Sequence, residues 1–550
     1  MRLFFVVLPL LFLIANRGAY EGYFQSDDLD NLSWTSVASW RDFAYGIAAP
    51  RFFPGNFRPA GHFYYYVMGH LAGLNYPPYV AVLHMLHFVN IVVLWFLMRR
   101  LAIAPVTAAC GVLLFAFHMA VFDAYWRPMY VFDVLCCTFS LLCVLAYVKR
   151  HWIVGLGFLW LAYKAKELAV MLPAVLAVYE FTIGERKWKL LLPYFAVAGM
   201  FGLQGVLLNP NVENDYTLRF SLEAIRTTLS FYGPKLAPLG WAGLVLLLVP
   251  FFFRDRLIWF GLALATFMLF PMLLLPGRMH GAYLYVSLAG VAIAFCALMR
   301  RWHPGFAALL IAIWLPLNYL ELRNYRRAAL TVAAENRAYV QGVAEARAKA
   351  PEARKFLYDG SPQEMHRWGV EGALRLIYNA PVELKSIEDK PQFESGYVTL
   401  LTWDPIARKV YAKSGSPDRA EASYISMDPE HPVWQLKDGW YGREHHFRWI
   451  RPHATARLHR PADARGFEVV LNAGPGQMQD LGRVRLEVRL DGKLAGEAEF
   501  TEPAVHKFSW SLAPDAAGET KVEFLVKPEY RPGGDSRVLG AAIVSFGFRS

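Results

Sequence analysis

Two adjacent carboxylates, Asp27 and Asp28, with Asp30 close behind, lie in a polar stretch (GYFQSDDLDN, residues 22–31) that follows directly on an apolar N-terminal segment. A carboxylate where the chain leaves a bilayer can act as a general base, taking the proton of a hydroxyl as that hydroxyl attacks. Neighbouring carboxylates also oppose each other's ionisation, which raises one pKa toward a working value. Cations stand at other connections between apolar runs: Arg58, Lys164, Lys166, Arg278 and His280, with Glu167 beside Lys166 and Asp123 in a further turn. Arg278 leads among them, since a guanidinium fork matches phosphate oxygens. Together these residue types suit a general base acting beside a bound anion. The plain alternatives are a solvated acidic loop and helix-end cations that snorkel.

The elements that must position these groups are membrane helices. Of 550 residues, 55% are hydrophobic and 18% charged, too apolar for a purely soluble chain, and the apolar residues concentrate before about Leu320. Runs long enough, or nearly so, to cross about 30 Å of hydrocarbon recur near 3–20, 78–98, 103–122, 129–148, 152–164, 168–183, 190–208, 236–253, 257–275, 283–299 and 304–320. That makes about eleven spans. The first is read as an uncleaved helix rather than a signal peptide, because no small-x-small site follows it. The net charge of +11 gathers in clusters such as Arg99-Arg100, Lys149-Arg150 and Arg300-Arg301 at alternate connections. Those clusters read as topology signals rather than a nucleic-acid stripe, and they put the N-terminus in the cytoplasm. The loop 16–77, the turns at 123–127, 164–167 and 276–281, and the C-terminal region then all face outward. Within the loop, Asp30–Ala44 and Arg58–Gly73 read as helices lying in the interface. The five cysteines sit in apolar runs and form neither a zinc spacing nor a disulfide framework.

Several motifs occur in a fixed order: Asp27-Asp28 after the first span, Phe57-Arg58-Pro59 with its tyrosine run, and Leu74-Asn75-Tyr76-Pro77-Pro78-Tyr79 leading to His87-Phe88-Val89-Asn90. Lys166-Glu167 ahead of Pro173 and PGRMHGAYLYVSLAG (276–290) follow. In these the chain resembles the GT-C class of polyprenyl-phosphate-sugar glycosyltransferases, especially the protein O-mannosyltransferases and the transmembrane tetratricopeptide-repeat mannosyltransferases. Two departures stand out: Arg278 lies upstream of Tyr-Leu-Tyr instead of directly before it, and no tetratricopeptide repeats follow.

The resemblance implies an inverting hexosyltransferase, mannosyltransferase-like, that moves a sugar from a polyprenyl-phosphate donor to a protein or glycan hydroxyl. It implies that one of the pair serves as base, with Asp28 preferred over Asp27. Arg278 is expected at the donor phosphate, followed by His280, Lys164, Lys166 and Arg58, with Glu167 holding Lys166 or Lys164 and Asp123 completing the site. No cofactor is required by the residues, and a divalent metal is left open. A carboxylate pair alone would also fit a glycoside hydrolase, which does not need a polytopic setting. A lipid or ion transporter and an inactive polyprenyl-binding scaffold are the remaining alternatives, the first disfavoured by the absence of paired repeats.

The expected architecture is a polytopic α-helical membrane protein, GT-C-like, with a C-terminal periplasmic region of α/β and β-sandwich character. Residues 1–320 form the membrane domain, 321–415 a helical linker with a small α/β unit, and 420–550 a jelly-roll-like sandwich, read from short alternating strands separated by turns. Trp440, Tyr441, Trp449 and Trp510 are candidates for stacking on sugar, with core packing as the alternative.

Overall fold

A computed structural model describes residues 3–51, 53, 57–208, 215–236, 252, 254–387, 398–416 and 421–550. The chain divides into two compact units, Met1–Ala333 and Ala334–Ser550.

The first unit is helical. Its helices are α1 (Phe4–Ala15), α2 (Ser26–Thr35), α3 (Trp40–Ala48), α4 (Pro59–Ala72), α5 (Pro77–Arg100), α6 (Pro105–Phe117), α7 (Phe122–Trp126), α8 (Val131–Val148), α9 (Trp152–Ala165), α10 (Leu172–Thr182), α11 (Leu192–Leu208), α12 (Leu222–Leu236), α13 (Arg256–Leu273), α14 (Tyr285–Met299) and α15 (Pro304–Lys349). Proline in the first turn starts α4, α5 and α6, where its missing N–H has no partner to lose. Arg99 and Arg100 close α5 against its negative end.

Among the described residues six helices are long and apolar enough to cross a membrane, or seven if α6 and the bent segment after it count as one span, and α1 and α9 are shorter apolar helices. The chain is therefore an integral membrane protein. Ten of the eleven expected apolar runs fall on helices, several of them short or broken, and the run at 236–253 lies almost wholly outside the described residues.

The outer loop departs from expectation. Asp30–Ala44 is two helices, because Ser39 caps a new one: its hydroxyl accepts from Arg41 N, and the Asp42 carboxylate accepts from Ser39 N at 3.0 Å. Gly61 packs α4 so tightly on Phe132 of α8 that a Cβ there would collide with the ring. On the far side, α13 and α14 meet backbone to backbone. A Cβ at Gly261 would lie 2.6 Å from Ala294 N and 2.8 Å from the Gly290 carbonyl, the close approach that small residues permit between membrane helices. The turn that carries Arg278 connects these two helices. The last apolar run and the charged segment after it are one continuous 46-residue helix, α15.

In the second unit a four-stranded sheet has the order β2-β1-β3-β4, with β1 (Lys355–Asp359) parallel to β2 (Glu383–Ser386) and β3 (Val398–Asp404), and β4 (Lys409–Gly415) antiparallel. Helix α16 (Arg367–Tyr378) joins β1 to β2. It begins after a turn in which Met365 N donates to the Pro362 carbonyl.

Two further sheets share one apolar core. One pairs β8 (His453–Arg460), β13 (Gly518–Lys527), β10 (Val484–Leu490) and β11 (Lys493–Phe500). The other is built on β9 (Gly466–Asn472), β12 (Val505–Ser511) and β14 (Ala542–Arg549), with β7 (Phe447–Ile450) and β6 (Trp440–Glu444) continuing from β14. Val484, Leu486 and Val488 point inward while Arg485 and Arg489 point out, the period of two that a half-buried strand requires. Trp440 packs between the sheets, its ring 5.7 Å from Phe524 and 5.6 Å from Phe546, and its indole N–H donates to the Thr455 carbonyl at 2.7 Å. It is a core residue. Tyr441 donates to Val538 O, Trp449 lies beside Tyr530, and Trp510 stacks on Phe508.

Candidate active site

Asp27 and Asp28 are not in a loop: they occupy the first turn of α2. Gln25 is the N-cap, and Asp28 closes a capping box in which its Oδ2 accepts from Gln25 N at 2.9 Å. Its Oδ1 accepts from the Tyr65 hydroxyl of α4 at 2.6 Å, and the side chain is fully buried. Burial pushes the Asp28 carboxyl up to about 7, against the pull of the Tyr65 and Gln25 hydrogen bonds, with the charge of Asp27 adding a smaller push. One pKa of the pair is thus raised, but exclusion of water does more than the neighbouring carboxylate. Asp27, one residue earlier, is half-buried and lies within electrostatic reach of Arg278 and Tyr216.

The expected cations are mostly committed to partners inside the chain. Arg58 Nε donates to both oxygens of Glu167, at 2.9 and 3.0 Å, with its guanidinium over the Phe132 ring. The Arg58 backbone N–H donates to His62 Nδ1 at 2.9 Å, and His62 Nε2 meets Asn31 of α2 at 3.1 Å. Burial, then the charge of Arg58, lowers His62 to about 3, so it stays neutral and serves as a spacer between α2 and α4. Lys166 is paired with Asp133 at 2.5 Å, both buried, with its ammonium 4.1 Å from the Tyr283 ring centre. Lys164 donates to the carbonyls of Ala49 and Arg51. Glu167 therefore holds Arg58, and not Lys166 or Lys164 as sequence adjacency suggests. The reason is local: Lys166 is in an extended conformation ahead of a short 3-10 turn, which sends successive side chains to opposite sides.

Asp123 pairs with Arg127 at 3.3 Å, one helical turn on. With its oxygen turned toward that guanidinium, the Gln25 amide accepts from Arg127 Nε at 3.2 Å. The Asp123 turn is thereby joined to the cap of α2. His280 is exposed, its ring 5.5 Å from that of Tyr283.

Arg278 is different. Its guanidinium lies 4.1 Å over the Tyr216 ring, its Nε is buried without an acceptor, and among the described residues it forms no salt bridge. Tyr283 is its hydrogen-bonding neighbour, and the charge of Asp27 reaches it. The site thus brings together Asp27, Arg278, Arg58 and Lys166 around Tyr216 and Tyr283, whereas Lys164 turns away and Asp28 lies beneath. Tyr216 was not singled out from sequence; Arg127 was read with Asp123 as part of the same turn, and Gln25, Tyr65 and Tyr283 fall within stretches quoted above without a role of their own. Among the described residues no group of three His, Cys, Asp or Glu could hold a metal ion.

No protein-family model and no curated protein matches the chain. Among solved structures it is similar to ArnT from Cupriavidus metallidurans bound to undecaprenyl phosphate, at 13% identity over 73% of this chain and 93% of that one, with a TM-score of 0.42. It is similar also to the arabinofuranosyltransferase AftD from mycobacteria, at 12% identity over 100% and 61% of the two chains with a TM-score of 0.41. A third is the arabinosyltransferase EmbB from Mycobacterium smegmatis, at 12% identity over 99% and 64% with a TM-score of 0.37. Residue roles rest on this chain's own site.

Proposed function

We propose that the protein is an inverting glycosyltransferase that moves a sugar from a polyprenyl-phosphate donor to a hydroxyl acceptor at the extracytoplasmic face. In this reading the acceptor oxygen bonds to the anomeric carbon as the bond from that carbon to the phosphate oxygen breaks. The hydroxyl proton passes to a carboxylate, and the lipid phosphate leaves with the electron pair. One displacement with no enzyme nucleophile inverts the centre.

The observation that carries the reading is Arg278, an arginine with a buried, unpartnered Nε and no salt bridge among the described residues, set within reach of a half-exposed acid. Such a fork suits the charge that develops on a departing phosphate. Asp27 is the base in this reading, because its carboxylate is accessible. Asp28 is a positioning residue: with both oxygens committed, it fixes the first turn of α2 that presents Asp27. Arg58 and Lys166 contribute field from their pairs, and His280 sits at the rim. The acceptor, the sugar and the outward orientation of the C-terminal unit belong to this proposal.

The test is transfer from a panel of polyprenyl-phosphate sugars by the purified full chain. Asp27→Asn should lower transfer by about a thousandfold or more while leaving donor binding intact. Arg278→Ala should weaken use of the donor, and unchanged donor kinetics would remove it from the phosphate site. If Asp27→Asn keeps activity within a few-fold and Asp28→Asn abolishes it, the two acids exchange roles. A wild-type chain that transfers from no member of the panel, yet binds the lipid, is a scaffold.

A further inference from the structure

Three side chains from two membrane helices make four hydrogen bonds to one stretch of backbone. Trp160 Nε1 of α9 donates to the Ile47 carbonyl at 2.7 Å. Lys164 Nζ, four residues on, donates to the carbonyls of Ala49 at 2.6 Å and Arg51 at 3.1 Å. Gln204 Nε2 of α11 donates to the Pro50 carbonyl at 3.1 Å. The Lys164 ammonium is 2% exposed and enclosed by the rings of Phe53, Trp160 and Phe201 at 5.1 to 5.5 Å. A buried cation at the end of an apolar helix needs a purpose. Here it is not aimed at the Arg278 site; its donors are spent on main-chain oxygens.

The gripped stretch lies between two different surfaces. On one side α11 exposes Leu203, Val206 and Leu207 at 62 to 69%, an aliphatic row of the kind that suits lipid. On the other a narrow crevice is lined by Phe53, Phe57, Arg58, Tyr163, Lys164 and Glu167, and Arg58 is among the cations around Tyr216 and Tyr283. The stretch beside the crevice is therefore held by exchangeable hydrogen bonds to carbonyls in addition to ring packing at Phe53, Trp160 and Phe201.

We propose that Lys164 is a positioning residue that straps residues 47–51 to α9 and α11 and so sets the opening through which the isoprenoid part of the donor enters. The second half of this statement rests on the function proposed above; the strap itself does not.

Both halves can be tested on the full chain. All five native cysteines are buried, so a single Ala49→Cys reporter in the strap, where Ala49 is 8% exposed, reads local opening through its maleimide labelling rate. Lys164→Met should raise that rate about tenfold, Gln204→Ala about threefold, and Lys164→Arg, which keeps donors, should leave it within about twofold. Should Lys164→Met not fold, Gln204→Ala on the surface of α11 carries the same test. Unchanged labelling in these variants overturns the strap. For donor entry, Lys164→Met should shift KM for a long-chain polyprenyl-phosphate sugar about fivefold with kcat nearly constant, and leave a short, water-soluble isoprenyl donor unaffected. Equal effects on both donors, or none, overturn the entry role. A chain that transfers from no donor at all sinks the entry role together with the proposed function, while labelling still decides the strap.

Discussion

Replacing Asp28 by Asn should change how stability depends on pH more than it changes the fold. In the unfolded chain the carboxyl ionises near its ordinary 3.8; in the folded chain burial has moved it to about 7. Between these values the folded chain keeps a proton that the unfolded chain gives up. Stability from this group is therefore fully present below about pH 4, declines as the pH rises toward about 7, and is flat beyond. The gap of about three pH units corresponds to roughly 4 kcal/mol at 1.36 kcal/mol per unit. An amide in the same position carries no charge at any pH. Its oxygen can accept from Gln25 N and its nitrogen can donate to the Tyr65 hydroxyl, so the capping geometry survives with Tyr65 reversed.

The assay is thermal unfolding of the full chain in detergent, wild type beside Asp28→Asn, from pH 5 to pH 8. The difference between the two profiles removes every other titrating group. Across that range the wild type should lose roughly 4 °C relative to the variant, about 3 kcal/mol spread over the melting entropy of the first unit, with most of the loss below pH 7.5. Parallel profiles would mean that Asp28 is hydrated in the folded chain. A wild type that gains on the variant as the pH rises would mean that it is stabilised as the anion, and either result removes the buried, positioning role.

Other perturbations follow from the same contacts. Lys166→Met leaves the buried Asp133 carboxylate unpaired and should destabilise the first unit by about 3 to 5 kcal/mol, whereas replacing both partners by apolar residues should cost much less, as read by thermal unfolding of single and double variants. Gly261→Val forces α13 away from α14 and should cost about 1 to 3 kcal/mol while displacing the Arg278 turn, so that transfer falls further than stability. Trp440→Ala opens a hole between the two large sheets and should cost about 3 kcal/mol, lowering the melting transition of the second unit without altering sugar binding.

What could be read from sequence was whatever depends on local pattern. Apolar runs, their basic ends and the alternating strands from Phe467 onward each obey a period set by backbone geometry, and helices and strands stand on those segments. The acidic pair was visible because two carboxylates at the end of an apolar run are conspicuous. Which of the two is buried was not, since that depends on a tyrosine 37 residues away and on Gln25 taking an N-cap position that serine or aspartate fills more often. Ion pairing escaped for the same reason. Arg58 finds Glu167 across 109 residues and Lys166 finds Asp133 across 33, and no spacing rule links them. The continuous α15 was hidden because composition changes sharply at its middle while the backbone does not.

The pairings carry a consequence for how such a site can exist without a ligand. Arg58, Lys166, Arg127 and Arg278 gathered in a poorly hydrated region would repel one another and lack solvation. Glu167, Asp133 and Asp123 answer three of them at salt-bridge distance, and the fourth lies against the face of Tyr216 with Tyr283 as hydrogen-bonding neighbour. An aromatic face stabilises a cation only weakly compared with a carboxylate. Arg278 is thus the cation whose present company an incoming anion can improve upon without breaking an existing ion pair. Binding a phosphate there gains a charge-assisted contact at little internal loss, while binding it at Arg58 or Lys166 would first have to compete with Glu167 or Asp133. Under the proposed function, the same carboxylates that compensate these cations would direct the donor phosphate to Arg278.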